Sequence, residues 1–344
     1  MTLPTASVVI CAYTMERWDD LRSAVVSAAT GSVVPHEIVV VIDHNEALFD
    51  RARRFGDEVA HEHGLPVTVV PNAHPRGLSG GRNTALDLVA GDVIAFLDDD
   101  AVAEPDWLAA LLAPYADDSV VAVGGAARPV WPSADSGGRP LMYPAASVAD
   151  RGEFDWVVGC SYRGMPTSAT PIRNLMGCNM SFRRSVFSRV GAFTDGLGRV
   201  GKIPLGCEET EFCIRVRQSD PALEIIFEPA AIVRHRVSAD RVRWWYLFRR
   251  CYAEGLSKVA VSRLVGQQAA LESERRYVRQ VLPAAVAREA AAALRGRRAG
   301  FAGVFAIGAG LVATACGYVR GAWARPGAPA RGDDREPLSV VTSR

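Results

Sequence analysis

Short apolar runs alternate with longer segments of helical spacing over the first 125 residues. The stretches SVVIC (7–11), EIVVVI (37–42), PVTVV (66–70), VIAFL (93–97) and VVAVGG (120–125) are rich in β-branched residues and predict strands. Between them, 18–30, 47–64, 78–91 and 104–116 place apolar residues at helical intervals. Gly64 and Gly91 stand where helices would end, Ser79 where one would be capped, and Pro105 near a first helical position. Each strand is apolar on both faces. Together with the alternation, this predicts an α/β fold, a mostly parallel sheet flanked by helices.

Length and charge narrow the class. The 344 residues suffice for one large domain or a domain with a smaller companion. Hydrophobic residues make up 49% and the formal net charge is +1, which excludes bulk nucleic-acid binding. The basic residues are nearly all arginine; Lys202 and Lys258 are the exceptions. Seven cysteines are scattered without a Cys-x-x-Cys pair, so reduced thiols are expected rather than disulfides or a zinc site. The N-terminus enters a strand within six residues, and no secretory signal is expected.

In such sheets ligands bind beyond the carboxyl ends of the strands. The first strand is followed by AYT (12–14), the second by DHN (43–45) and the fourth by DDD (98–100). Neither a Gly-x-Gly-x-x-Gly nor a Gly-x-x-x-x-Gly-Lys-Ser/Thr motif occurs, so the dinucleotide and P-loop classes are set aside. Three adjacent carboxylates suit a hard divalent cation that fills its other positions with water and phosphate oxygens. A nucleotide would supply those phosphates. Tyr13 would pack on its base, and Asp43 would accept a hydrogen bond from a ring N–H. The competing reading is a solvated loop start.

These features, in this order, resemble a family 2 glycosyltransferase with the GT-A fold, over about residues 5 to 255. CAYT resembles the nucleotide contact of that family and Asp43 its uracil-binding aspartate. NAHPRGLSGGRNTAL (72–86) resembles its Asn-x-Gly-x-x-x-Ala-Arg-Asn segment, with Gly81 where alanine is usual. FLDDDA resembles its Asp-x-Asp motif, and CNMSFRRSVFSRVGAF with CEETEFCIRVRQ its acceptor half. The resemblance implies metal-dependent, inverting transfer from a nucleotide-sugar, a UDP-sugar above all, with Mg²⁺ or Mn²⁺. It implies that Asp100 holds the metal with Asp98 and His235, against a structural role for a lone histidine. Tyr13, Thr14, Asp43, Asp98 and Asp99 would serve the nucleotide-sugar. Glu209 would be the base and Glu208 its alternative, where the family usually has Glu-Asp; an acidic helix start is the competing reading. Arg76, Arg82 and Asn83 are candidate donor contacts, against surface arginines and a helix-capping asparagine. Asn179 and Trp156 are candidate acceptor contacts, against a cap and a packed indole.

The last hundred residues have another character. Residues 241–266 mix basic and aromatic positions at helical spacing, which fits either a core helix or a membrane-surface helix. Residues 299–319 carry no charge between Arg298 and Arg320, just long enough to span a bilayer, yet they are dominated by alanine and glycine. The expected organisation is a GT-A catalytic domain over 1–240 (nucleotide-sugar half 1–127, acceptor half 128–240), a helical, membrane-associated region over 241–323, and a disordered tail over 324–344. A catalytic face beside a membrane suggests a glycan or polyprenyl-phosphate-linked acceptor on the cytoplasmic side. Two rivals remain: a sugar-phosphate nucleotidyltransferase, disfavoured because CAYTMERWDD holds no Gly-rich triphosphate loop, and a non-catalytic membrane-bound scaffold.

Overall fold

The structure is a computed structural model describing residues 3–132, 138–147, 150–198 and 206–324; most of the expected tail and Lys202 lie outside the described residues. Among these, nine strands form one sheet. They are β1 (Ala6–Ala12), β2 (Glu37–Ile42), β3 (Val67–Pro71), β4 (Val93–Asp98), β5 (Ala101–Ala103), β6 (Val120–Val130), β7 (Thr170–Pro171), β8 (Asn179–Arg183) and β9 (Glu224–Arg236). The order is β3-β2-β1-β4-β8-β6-β9-β5, with β7 on β9.

The parallel expectation holds for the first half, and again where β6 pairs parallel with β9. β1 pairs parallel with β2 and β4, and β2 with β3. β8 then enters antiparallel between β4 and β6, and β5 and β7 run antiparallel to β9, so the whole sheet is mixed. The difference arises because β8 follows a long excursion rather than a crossover helix, and only a crossover imposes parallel pairing.

Helices α1 (Trp18–Ala29), α2 (Glu46–His63), α3 (Leu78–Leu86) and α4 (Trp107–Leu112) cover the first half. α2 ends as expected, on left-handed Gly64. α3 begins after Gly77 instead of at Ser79, whose hydroxyl donates to the Leu197 carbonyl at 2.7 Å. It also stops short of Gly91, where a Cβ would lie 2.6 Å from the Ser7 nitrogen: that glycine serves close packing, not a helix end. α4 starts two residues beyond Pro105, after a turn.

Val8, Ile10, Ile38, Val40, Val93 and Ala95 point to one apolar layer, against α1, α2 and α4. Val9, Val39, Ile94 and Phe96 point to the other, against α5 (Arg184–Val190) and α6 (Glu208–Ser219). Burying each such Val or Ile contributes roughly 1.5–3 kcal/mol. This two-sided burial keeps the strand ends, and the carboxylates beyond them, in fixed positions. The chain finishes in α7 (Trp244–Val265), α8 (Gln267–Ala270), α9 (Glu272–Arg276), α10 (Leu282–Leu294) and α11 (Arg298–Trp323). They pack on the rest of the chain where Tyr143, Phe154 and Val157 meet Leu247 and Cys251 of α7. Buried Glu153 pins α10 through Arg288, at 2.7 and 2.9 Å.

Candidate active site

β4 ends at Asp98 and turns directly into β5, so three carboxylates sit at the sheet edge. They are not alike. Asp98 is about one-third exposed and faces a cavity, whereas Asp99 and Asp100 are buried. Like charges at this spacing repel, and cations answer them. The Arg17 guanidinium reaches Asp99 Oδ1 at 2.8 Å and Asp100 Oδ2 at 3.0 Å. Arg241 Nη2 lies 3.4 Å from Asp100 Oδ2. The β5–β9 ladder sets His235 opposite Ala101, which delivers its Nε2 to 3.0 Å from Asp100 Oδ1 and 4.0 Å from Asp98 Oδ2.

Burial alone would raise Asp100, but His235, Arg241 and Arg17 hold its carboxyl well below the usual range. Burial works against a charged His235; Asp100 and Cys160 overcome it and push the imidazole up to about 10. Asp99 goes the other way. Burial dominates the opposing pull of Arg17, and with Asp100 and Asp98 beside it the acid is pushed up to about 7. Ligand atoms of Asp98, Asp100 and His235 lie within 4.8 Å of one another. Two carboxylates and an imidazole fit a divalent cation of the Mn²⁺ or Mg²⁺ type, provided the cation displaces the proton that the imidazole holds in its absence.

Across the cavity, α6 opens with Glu208 and Glu209. The residue before them, Cys207, is held at φ 76°, a left-handed conformation unusual for a side chain bearing a Cβ. The other such non-glycine among the described residues is His44, next to Asp43. Arg82, fully buried on α3, pairs with one of the two acids. Its Nη1 donates to Glu208 Oε1 at 2.8 Å, while Nη2 donates to the Gly177 carbonyl at 2.9 Å and lies 3.8 Å from Asp98. Glu208 is thereby neutralised. Among the described residues no ion pair holds Glu209, and burial with the neighbouring Glu208 pushes it up to about 8. One cavity of about 1050 Å³ touches Asp98, His235, Arg82, Glu208 and Glu209.

The nucleotide-side candidates gather at the ends of β1 and β2. Tyr13 is half-buried with Arg17 over its ring at 5.7 Å, and Thr14 Oγ1 accepts from the Glu16 amide. Asp43 accepts from Asn72 Nδ2 at 2.7 Å, His44 Nδ1 at 2.8 Å and the Gly77 amide at 3.1 Å. A carboxylate offers about four acceptor positions, so a further donor can be received. Arg76 is exposed and reaches the His44 carbonyl at 3.4 Å.

Two expected contacts are placed elsewhere. Asn83 is buried and exchanges hydrogen bonds with the Phe193 backbone at 2.9 and 3.0 Å. Asn179 is fully buried: it accepts from Trp107 Nε1 and donates to the Ala126 and Ala231 carbonyls, stitching α4, β6 and β9. Both amides are committed to tying the fold. Trp156 does line the cavity, with Arg250 over its ring at 5.6 Å. Sequence reasoning missed Arg17 and Arg241. Arg17 carried a faint signal, lying one turn past the AYT motif.

A curled mixed sheet with an aspartate-rich edge facing an acidic helix start defines a nucleotide-sugar-dependent glycosyltransferase of the GT-A class. Residues 7–191 match Glycosyl transferase family 2, and the chain belongs to that family. It is 34% identical, over 80% of its own length and 82% of the relative's, to a glucosyl-dolichyl phosphate glucuronosyltransferase of Haloferax volcanii. Among solved structures, it resembles the mannosyltransferase PcManGT of Pyrobaculum calidifontis in complex with GDP-Man and Mn²⁺. The TM-score is 0.56 at 19% identity, over 94% of this chain and 88% of the other. GalNAc-T7 with UDP, GalNAc and Mn²⁺ matches at a TM-score of 0.51 and 17% identity, over 81% of this chain and 57% of that one.

Proposed function

We propose that the enzyme transfers a sugar from a UDP-sugar, with inversion, to a hydroxyl of a sugar carried on a polyprenyl phosphate, at the cytoplasmic face of a membrane. The observation that carries this is the cavity of about 1050 Å³. Its wall carries Asp98, His235 and Glu209 and also Val281, Leu282 and Leu311 of the C-terminal helices. A wall that holds both the reacting groups and apolar side chains suits an acceptor that joins a sugar to a hydrocarbon. The dolichyl phosphate in the name of the Haloferax relative supports the same acceptor class.

In this reading Tyr13 packs on the uracil and Asp43 accepts its ring N–H. Asp98 faces the ribose and, with Asp100 and His235, would hold a divalent cation that supplies Lewis-acid stabilisation of the departing diphosphate. Arg17 and Arg241 keep Asp100 ionised. Glu209 takes the proton of the attacking hydroxyl. Arg82 neutralises Glu208, so one carboxylate remains to act as base. A single base across the cavity from the leaving group fits one displacement, hence inversion.

The test is turnover of a nucleotide-sugar panel on a short-chain polyprenyl-phosphate-linked monosaccharide with Mn²⁺, Mg²⁺ or EDTA, and NMR of the new anomeric centre. One donor should react only with metal, Asp100→Ala should lose donor binding, and Glu209→Gln should bind donor without turnover. Transfer that survives EDTA, or that retains configuration, defeats the reading.

A further inference from the structure

Helix α11 has two faces that could hardly differ more. Gly300, Gly303, Gly310, Gly317 and Gly321 are buried along one stripe. A Cβ on Gly317 would lie 2.0 Å from the Tyr252 carbonyl, and one on Gly300 would lie 2.4 Å from the Ala293 nitrogen. α7 returns the contact: a Cβ on Gly255 would lie 2.1 Å from the Thr314 carbonyl. The backbones of α7 and α11 therefore touch, as small-residue interfaces permit. The opposite stripe runs through Phe301, Phe305, Val312, Val319 and Trp323, exposed by 63, 59, 62, 46 and 82%. Its intervals of 4, 7, 7 and 4 residues keep these side chains on one face.

By length and composition α11 is apolar enough to cross a bilayer, with a mean hydropathy of 1.8. Its partner forbids that. α7 carries Arg249, Arg250, Glu254, Lys258 and Arg263, and Arg250, Glu254 and Lys258 line the catalytic cavity. A crossing α11 would drag this charged helix into hydrocarbon, where each such charge costs at least about 2.5 kcal/mol. We infer that α11 lies in the plane of the membrane interface, with its glycine stripe fastened to α7 and its aromatic and aliphatic stripe sunk into the lipid. This deepens the membrane-associated part of the proposed function and rests on it.

The occupant is an anionic bilayer rather than a second protein surface, because the stripe is framed by cations. Arg295, Arg297 and Arg298 precede it, and Arg320 lies near its far end, all exposed. The segment 290–324 contains no aspartate or glutamate. At the start of α7, exposed Trp245 adds an aromatic, Arg243 is answered by exposed Asp240, and Trp244 and Phe248 pack edgewise on Phe305. Arginines on lipid phosphate and tryptophans at the headgroup level are the chemistry of an interfacial helix.

The experiment uses the full chain with Cys11→Ser and Cys316→Ser, and single cysteines at Phe301, Phe305, Val312 or Val319 carrying an environment-sensitive fluorophore. Cys316 is exposed and Cys11 half-buried, while the other five cysteines are buried. Depth is read by quenching with brominated lipids in vesicles of phosphatidylcholine, with or without about one-third phosphatidylglycerol. In-plane docking predicts that all four probes lie at one shallow depth, within a few Å. It also predicts at least tenfold stronger partition with the anionic lipid, and loss of partition in Phe301→Glu/Phe305→Glu with its melting temperature kept. A Val312 probe sitting deeper than the Phe301 probe by most of the roughly 16 Å of helix between them means a span and overturns the inference. So does absence of quenching in both vesicles from a folded protein. Neither outcome depends on turnover of the soluble short-chain acceptor, which tests the proposed reaction separately.

Discussion

If Glu209 is the base, its environment dictates a pH profile. Burial and the charge of Glu208 push its carboxyl up to about 8. Only the ionised form accepts a proton, so about 9% of the enzyme is competent at pH 7 and about 90% at pH 9. Turnover with saturating substrates should therefore climb about tenfold between those values. Glu208→Gln sharpens the test. It removes the like charge and leaves the Arg82 guanidinium, now 2.8 Å from a neutral amide, with Glu209 as the nearest acid on α6. Both changes favour the ionised base, so the acid limb should move to lower pH and the rate at pH 7 should rise relative to that at pH 9. The assay is kcat against pH from 6 to 9.5 for wild type, Glu208→Gln and Glu209→Gln, at constant ionic strength. A limb at the same pH in Glu208→Gln, or Glu209→Gln within tenfold of wild type, would falsify the assignment of the base to Glu209.

The same acid links to stability. Its folded value lies above the unfolded value near 4.3, so the folded state holds an extra proton between about pH 4.3 and 8 and loses stability as pH rises through that window. Glu209→Gln should thus gain melting temperature over wild type, and gain more at pH 8.5 than at pH 5.5. Arg82→Ala strands Glu208 as a buried, unpaired charge, and urea unfolding should register a loss of about 3–5 kcal/mol; Arg82→Lys should lose less but leave one contact of the fork unmade. Gly317→Val forces a side chain into the Tyr252 backbone, so α7 and α11 must part; overpacking of this kind costs about 1–3 kcal/mol, and limited proteolysis should cut the α10–α11 segment first. Arg288→Ala removes a bidentate partner from buried Glu153 and should loosen the same helices, read as faster amide exchange in α10 with little change in β1–β4.

The parallel half was legible because both faces of its strands are buried, which writes apolar residues at every position; Val8, Val9 and Ile10 are all enclosed. The acidic motifs were legible because charge directly after such a run has few structural uses. The antiparallel strands were not: a strand such as NMSFR carries no sign of its direction, which is decided by the excursion before it. Asn83 and Asn179 stand in motif positions and are still spent on distant carbonyls, since a short run of sequence does not record which backbone groups the fold leaves unpaired. Arg17 and Arg241 were hidden for a different reason. In a chain whose basic residues are almost all arginine, nothing local marks the two that close on Asp100.

Those two arginines change how the aspartate triplet should be understood. Asp98 stays partly exposed toward the cavity, while Asp99 and Asp100 are clamped behind it by Arg17, Arg241 and His235. The clamp tolerates three adjacent carboxylates by letting them differ: Asp100 is held ionised and Asp99 is allowed to approach neutrality. The acid pair on α6 is divided by the same device, with Arg82 holding Glu208 and leaving Glu209 near its titration point. Arg82 also lies 3.8 Å from Asp98, so the two halves of the site meet at one buried guanidinium. Replacing it should disturb both at once. Arg82→Lys should shift the pH limb set by Glu209 and weaken donor binding in the same variant, whereas a residue serving one half alone would move only one of the two.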